Sequence, residues 1–121
     1  MSKMRDKLEK AGVPDAERHL FICLGPDCCR TRDGEHTWEY IKHRVKQLDL
    51  KLMRTKAGCF RICKEGPLMV VYPEGTWYSR VTPDRFERIL QEHLVGGVPV
   101  KEFMVAENPL CAAGVPPPLE A

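Results

Sequence analysis

Four cysteines in two short pairs constrain this chain more than any other feature. Cys23 and Cys28 enclose four residues in Cys-Leu-Gly-Pro-Asp-Cys, Cys59 and Cys63 enclose three in Cys-Phe-Arg-Ile-Cys, and 30 residues separate the pairs. Two thiol-bearing loops, brought together by the structure between them, are what a four-thiolate metal centre requires. Two more cysteines stand apart, Cys29 directly after Cys28 and Cys111 near the C-terminal end.

Whether six cysteines mean disulfides or ligation depends on the compartment. The opening Met-Ser-Lys-Met-Arg-Asp-Lys is charged and has no apolar signal-peptide core. No apolar run approaches the roughly 18 residues of a membrane span. These features predict a cytoplasmic protein, without membrane contact and with reduced thiols, in which cysteines serve as ligands or redox groups. The Cys28-Cys29 doublet also fits a disulfide framework poorly. A formal net charge of +2 over 121 residues is too small to argue for nucleic acid as a partner.

The length suits one domain. Before it, Ser2 to about Ala11 reads as a short polar helix with a thin stripe of Met4, Leu8 and Ala11, stopped at Gly12-Val13-Pro14. Leu20-Phe21-Ile22-Cys23 reads as a buried strand, and Gly25-Pro26-Asp27 as the turn that brings Cys28 round to Cys23. Thr31-Arg32-Asp33-Gly34 reads as a loop, then Trp38, Ile41, Val45 and Leu48 give the stripe of a helix from about Gly34 to Leu48. Leu50 to Thr55 alternates as a strand does, and Cys59 and Cys63 are spaced for one face of a helical turn. Leu68–Tyr72 and Thr76–Val81, joined by Pro73-Glu74-Gly75, predict a hairpin. Thr82-Pro83-Asp84 is a helix start, Phe86, Ile89, Leu90 and Leu94 its apolar face, and Gly96-Gly97 its stop. The segment Val98 to Ala106 reads as an extension lying along the body.

The expected organisation is a flexible arm over 1–17, a domain over 18–106 and a disordered, proline-rich tail over 107–121. Within the domain, strand–helix–strand implies parallel pairing, and the hairpin adds antiparallel strands. That is the order of a thioredoxin-like α/β fold: a central mixed sheet flanked by helices, with the cysteine loops at one end.

Spacing alone leaves two chemistries open for the four thiols, a 2Fe–2S cluster or structural zinc. Zinc knuckles tend to be tighter, but wider ones are tolerated. Thiol–disulfide exchange lacks its signature, because no Cys-x-x-Cys follows the first strand.

The combination of Cys23-Leu-Gly-Pro-Asp-Cys28, Cys59-Phe-Arg-Ile-Cys63-Lys-Glu-Gly-Pro67, Val70-Val-Tyr-Pro-Glu-Gly-Thr-Trp-Tyr78 and Glu92-His-Leu-Val-Gly-Gly-Val-Pro-Val100 resembles the thioredoxin-like 2Fe–2S ferredoxins. The likeness runs from about Leu20 to Ala106. It implies a 2Fe–2S cluster on Cys23, Cys28, Cys59 and Cys63, a one-electron carrier rather than an enzyme, a redox partner protein, and a homodimer. The alternative on the same four cysteines is a structural zinc module. In the doublet, Cys28 is the expected ligand and Cys29 the neighbour that a one-residue shift would substitute. Cys111 is expected to play no structural part.

Arg30, Arg32, Arg54, Lys56, Arg61 and Lys64 crowd the ligands in sequence, against Asp27 and Glu65. Gathered in space they would attract an acidic partner; scattered they are an ordinary solvated face. Trp38 is expected in the core, and one of Trp77 and Tyr78 exposed. His19, His36, His43 and His93 have no ligand spacing and are expected at the surface or at caps.

Overall fold

The structure, a computed structural model, describes residues 3–25, 29–58, 60 and 64–110. Its elements are α1 (Lys3–Lys10), β1 (Arg18–Cys23), α2 (Thr31–Leu48), β2 (Leu52–Ala57), β3 (Met69–Tyr72), β4 (Thr76–Tyr78), α3 (Pro83–Ile89) running on into a π-helical turn (Leu90–Val95), a 3₁₀ turn (Lys101–Phe103) and β5 (Met104–Glu107).

The five strands form one sheet in the order β2-β1-β3-β4-β5. The β1–β2 pair is parallel and every other pair antiparallel. The α/β, thioredoxin-like architecture expected from the element order is therefore present. The parallel register sets Cys23 opposite Ala57, so both strands end level at the edge from which the two cysteine loops leave.

Alternation divides the sheet into two faces. Leu20, Ile22, Met69, Val71 and Tyr78 point into a core closed by Ile41 and Val45 of α2, Phe86 and Ile89 of α3, and Leu90 and Leu94 of the π-helical turn. The opposite face carries Phe21, Tyr72 and Trp77, all half-buried. Phe21 stacks on His19 at 4.2 Å between ring centroids and meets Tyr72 edge-on at 6.1 Å. No residue of α1 is buried.

Several boundaries differ from expectation for local reasons. The expected loop at Thr31–Gly34 is the first turn of α2. Gly34 is buried inside that turn, where a Cβ would lie 2.7 Å from the Leu24 carbonyl oxygen. The glycine serves close packing, which a sequence pattern cannot distinguish from a loop signal. The α2 stripe also shifts: Leu48 is exposed, and Thr37 is buried with its hydroxyl donating to the Val81 carbonyl at 2.8 Å. Trp38 packs against the core as expected, with the Arg54 guanidinium 5.7 Å from its ring centroid.

The second strand starts two residues late. Asp49 takes the left-handed conformation at the end of α2, and the Leu50 N–H still donates to the Val45 carbonyl. Leu50 therefore belongs to the helix end, and the visible alternation begins too early. At the other end of the chain, the expected extension is a fifth strand antiparallel to β4. Past it, the Asn108 and Leu110 N–H groups donate to the carbonyls of Gly75 and Pro73. The segment from Glu107 to Leu110 is thus paired with the hairpin, and residues 111–121, with Cys111, lie outside the described residues.

The start of α3 is as expected: Thr82 accepts the Arg85 N–H at 3.3 Å and Pro83 opens the first turn. Its continuation corrects one expectation. His93 has no solvent exposure. It falls on the same stripe as Phe86, Ile89, Leu90 and Leu94, so helical periodicity carries it into the core. It is tolerated there because both ring nitrogens are satisfied.

Candidate metal centre

Of the four expected ligands, Cys23 is described; Cys28, Cys59 and Cys63 lie outside the described residues. Cys23 ends β1 fully buried, and its side chain leaves the main core to form a small cluster with Leu68, against which Cys29 and Phe60 pack. Its N–H donates to the Leu68 carbonyl at 3.0 Å, and the Leu68 N–H donates back to Cys23 Sγ at 3.1 Å. That second bond aims a backbone N–H dipole at the sulfur, the kind of donor that supports a sulfur ligand.

The surroundings hold this sulfur at a fixed point. The Leu24 N–H donates to the Ala57 carbonyl, which extends the β1–β2 ladder one step past Cys23. Gly25 then has φ 87°, and a side chain there would strike the Cys29 carbonyl. The doublet's second cysteine thus sits against the turn that leaves Cys23. Beyond the second cysteine pair, Glu65 and Pro67 accept backbone N–H groups from Arg80 and Val81 at 2.7 and 3.0 Å. This ties the exit of that loop to the segment between β4 and α3.

Phe60, within the second loop, meets Trp77 edge-on at 5.4 Å. Neither Trp77 nor Tyr78 is exposed, against expectation: Tyr78 points into the core, and Trp77, on the other face, is half-buried with Phe60 against it. The centre therefore has an apolar wall of Leu68 and Phe60 that keeps water from Cys23. Sequence reasoning missed Leu68 as a donor to sulfur; only the antiparallel register of β1 with β3 reveals it.

A buried thiol with a backbone donor on sulfur, an apolar wall and a glycine turn that no side chain could enter is a donor environment that fits thiolate ligation of an iron–sulfur cluster. Among the described residues, no group of three or more His, Cys, Asp or Glu side chains is placed to hold a metal. The basic residues expected near the ligands are exposed wherever they are described: Arg30, Arg32, Arg54, Lys56 and Lys64; Arg61 and Asp27 lie outside the described residues.

Away from this edge, a second polar feature runs through the core. The Val100 N–H donates to Tyr78 Oη at 3.0 Å, Tyr78 Oη lies 2.8 Å from His93 Nδ1, and His93 Nε2 lies 3.1 Å from Glu74 Oε2. Arg18 Nε donates to the same carboxylate oxygen at 2.8 Å. The Glu74 carboxylate can only accept, so the His93 ring proton sits on Nε2, facing it; the neutral Nδ1 then accepts from the Tyr78 hydroxyl, whose oxygen accepts from Val100. Burial lowers the His93 pKa, against the opposing pull of Glu74. Burial pushes the Tyr78 hydroxyl up to about 12. At Glu74 burial works upward, but hydrogen bonds led by the one from Arg18 hold the carboxyl below its usual range.

Comparison with known proteins gives a consistent answer. No protein-family model matches the chain. A Priestia megaterium protein is 38% identical over 92 residues, spanning 75% of this chain and 72% of its own. A 2Fe–2S ferredoxin of Clostridium pasteurianum is 34% identical over 101 residues, spanning 74% of this chain and 96% of its own. Among solved structures, the thioredoxin-like [2Fe-2S] ferredoxin from Aquifex aeolicus superposes with a TM-score of 0.69 at 29% identity, over 77% of this chain and 94% of that one. With the parallel β1–β2 pair, the hairpin and the buried Cys23 edge all in the expected places, the chain belongs to the thioredoxin-like 2Fe–2S ferredoxin family.

Proposed function

We propose that this chain is a one-electron carrier, not an enzyme, holding a single 2Fe–2S cluster on Cys23, Cys28, Cys59 and Cys63. The observation that carries the reading is the 34% identity to the Clostridium pasteurianum 2Fe–2S ferredoxin over nearly all of that protein's length. When bound, such a cluster accepts and returns one electron. The chain's own residues fix what surrounds it. Cys23 would supply a sulfur ligand fixed at the end of β1, the Leu68 N–H donates to that sulfur, and Phe60 and Leu68 exclude water. No described helix is long and apolar enough to cross a membrane.

The partners in this reading are a redox protein and a second copy of the chain; nucleic acid and membrane are not among them, and the compartment is the cytoplasm. The homodimer would use the sheet face opposite the helices, where Phe21, Tyr72 and Trp77 stand without a covering layer of buried helical residues. Sedimentation equilibrium should give twice the chain mass, and Tyr72→Glu should return it to one.

The deciding experiment is the visible absorption spectrum of protein purified without air, before and after dithionite. Broad visible bands that bleach on reduction are the expected result. A colourless protein with stoichiometric zinc, still colourless after reconstitution with iron and sulfide, would overturn the reading in favour of structural zinc.

A further inference from the structure

Charge is distributed unevenly over this fold. Arg18, Arg44 and Arg88, on the body, are each locked onto carboxylates: Glu74 at 2.8 Å, Glu87 at 2.9 Å, and Glu92 and Glu102 at 2.8 and 3.1 Å. The cations at the cysteine edge are not held in this way, a state that Lys46, Lys51 and Lys101 of the body share among the described residues. Arg30 and Arg32 stand at the start of α2, just past Cys29. Lys56 is the last residue but one of β2, beside the Cys23–Ala57 pair, and Lys64 follows the second cysteine loop directly. All four are exposed, and none is in an ion pair among the described residues. Glu65, next to Lys64 in sequence, is held by Arg80 at 3.3 Å. Asp33 and Glu35 stand beside Arg30 and Arg32 in the early turns of α2.

We propose that Arg30, Arg32, Lys56 and Lys64 form a docking rim for an acidic redox protein, which approaches the chain at its cysteine edge. The proposal rests on the electron-carrier reading and names the partner's chemistry. An electron carrier must present its centre to another redox group, so the surface around the ligands is the one a partner must meet. Unpaired cations there cost nothing in water and give a partner's carboxylates something to displace solvent from. Such rims act mainly on encounter rate and orientation. Nucleic acid fits less well. The chain as a whole carries only +2, and the aromatic ring in the cysteine loops, Phe60, is turned against Trp77 rather than offered for base stacking.

The test uses the cluster-loaded protein and fluorescein-labelled short polyglutamate, with binding read by anisotropy at about 0.01 M and about 0.15 M ionic strength. Arg30→Gln/Arg32→Gln/Lys56→Gln/Lys64→Gln should weaken binding on the order of tenfold at low salt. A control with equal charge loss, Lys10→Gln/Lys42→Gln/Lys46→Gln/Lys51→Gln, removes cations that line the clefts beside α2 and at the start of β2. It should bind within about threefold of the parent if site and not net charge governs. In parallel, oxidation of the reduced protein by ferricyanide should slow in the rim variant, while oxidation by the cationic tris(phenanthroline)cobalt(III) should speed up. Equal loss in rim and control variants would overturn the proposal. So would better competition by a single-stranded oligonucleotide than by polyglutamate. Retention of bleachable visible bands in the rim variant separates failure of this proposal from failure of the electron-carrier reading. If the quadruple variant loses those bands, Arg30→Gln/Lys64→Gln carries the same comparison, with proportionally smaller shifts, and unchanged binding there overturns it.

Discussion

Replacing Tyr78 by Phe removes one oxygen from the core and strands two partners. The Val100 N–H loses its acceptor at 3.0 Å, and His93 Nδ1 loses its donor at 2.8 Å. The site is fully buried, so water cannot take over either role without opening the structure. Each unsatisfied buried group costs about 1–3 kcal/mol. Part of that is returned because a hydroxyl no longer has to be desolvated, so the expected loss is about 2–4 kcal/mol. Against a total of about 5–15 kcal/mol this is a large fraction, and it should lower the unfolding midpoint by on the order of 10 °C. Loss of the cluster on heating would make unfolding irreversible, so midpoints should be compared at one scan rate. A reversible local readout is amide hydrogen exchange at Val100, whose protection should fall by on the order of a hundredfold. Tyr40→Phe is the matched control. Its hydroxyl donates to Glu87 at 2.6 Å, but Glu87 keeps Arg44 and Gln91, so the cost should stay below about 1 kcal/mol. If Tyr78→Phe matches the parent in both midpoint and Val100 exchange, the network does not hold the core as argued.

Three other outcomes follow from the same geometry. The His93 pKa is lowered in the folded state, so the unfolded chain takes up the proton first; stability should be flat above about pH 6.5 and decline as pH falls below it. His19 shifts in the same direction by burial, so the decline should shrink in His93→Gln and shrink further in the double variant with His19→Gln, read by unfolding midpoints from pH 8 to 5. Gly34→Ala forces a methyl into the Leu24 backbone and should cost about 1–3 kcal/mol, although alanine is the better helix former; a stabilised variant would refute the close-packing role. Cys28→Ser should lose or alter the visible bands and Cys29→Ser keep them; the reverse result would move the second ligand to Cys29.

Much of the fold was legible because its signals are periodic. The strand–helix–strand order, the hairpin, the Thr82-Pro83 cap and the apolar face of α3 each follow from local patterns that the structure repeats. What was not legible depends on partners distant in sequence. Nothing local says that Gly34 packs against Leu24, that Thr37 reaches Val81, or that Leu68 donates to Cys23. His93 is an intermediate case. Its position on the apolar stripe was visible, but a polar residue there reads as surface until Tyr78 and Glu74 are known to meet it. For the candidate centre, spacing proposed Cys23 as a ligand, whereas the apolar wall and the backbone donor around it come from sheet register.

The level ending of β1 and β2 has a consequence for how such a protein can change over evolutionary time. Neighbouring strands in a sheet stand about 4.8 Å apart, and the ladder that fixes Cys23 beside Ala57 is made of backbone atoms alone. The distance between the roots of the two loops is therefore inherited from the sheet and is indifferent to side-chain identity. Side chains in the loops past Cys23 and Ala57 can change without moving the points from which those loops leave the sheet. A lineage could in this way exchange acidic for basic surroundings, or shift a cysteine by one place, without rebuilding the domain beneath.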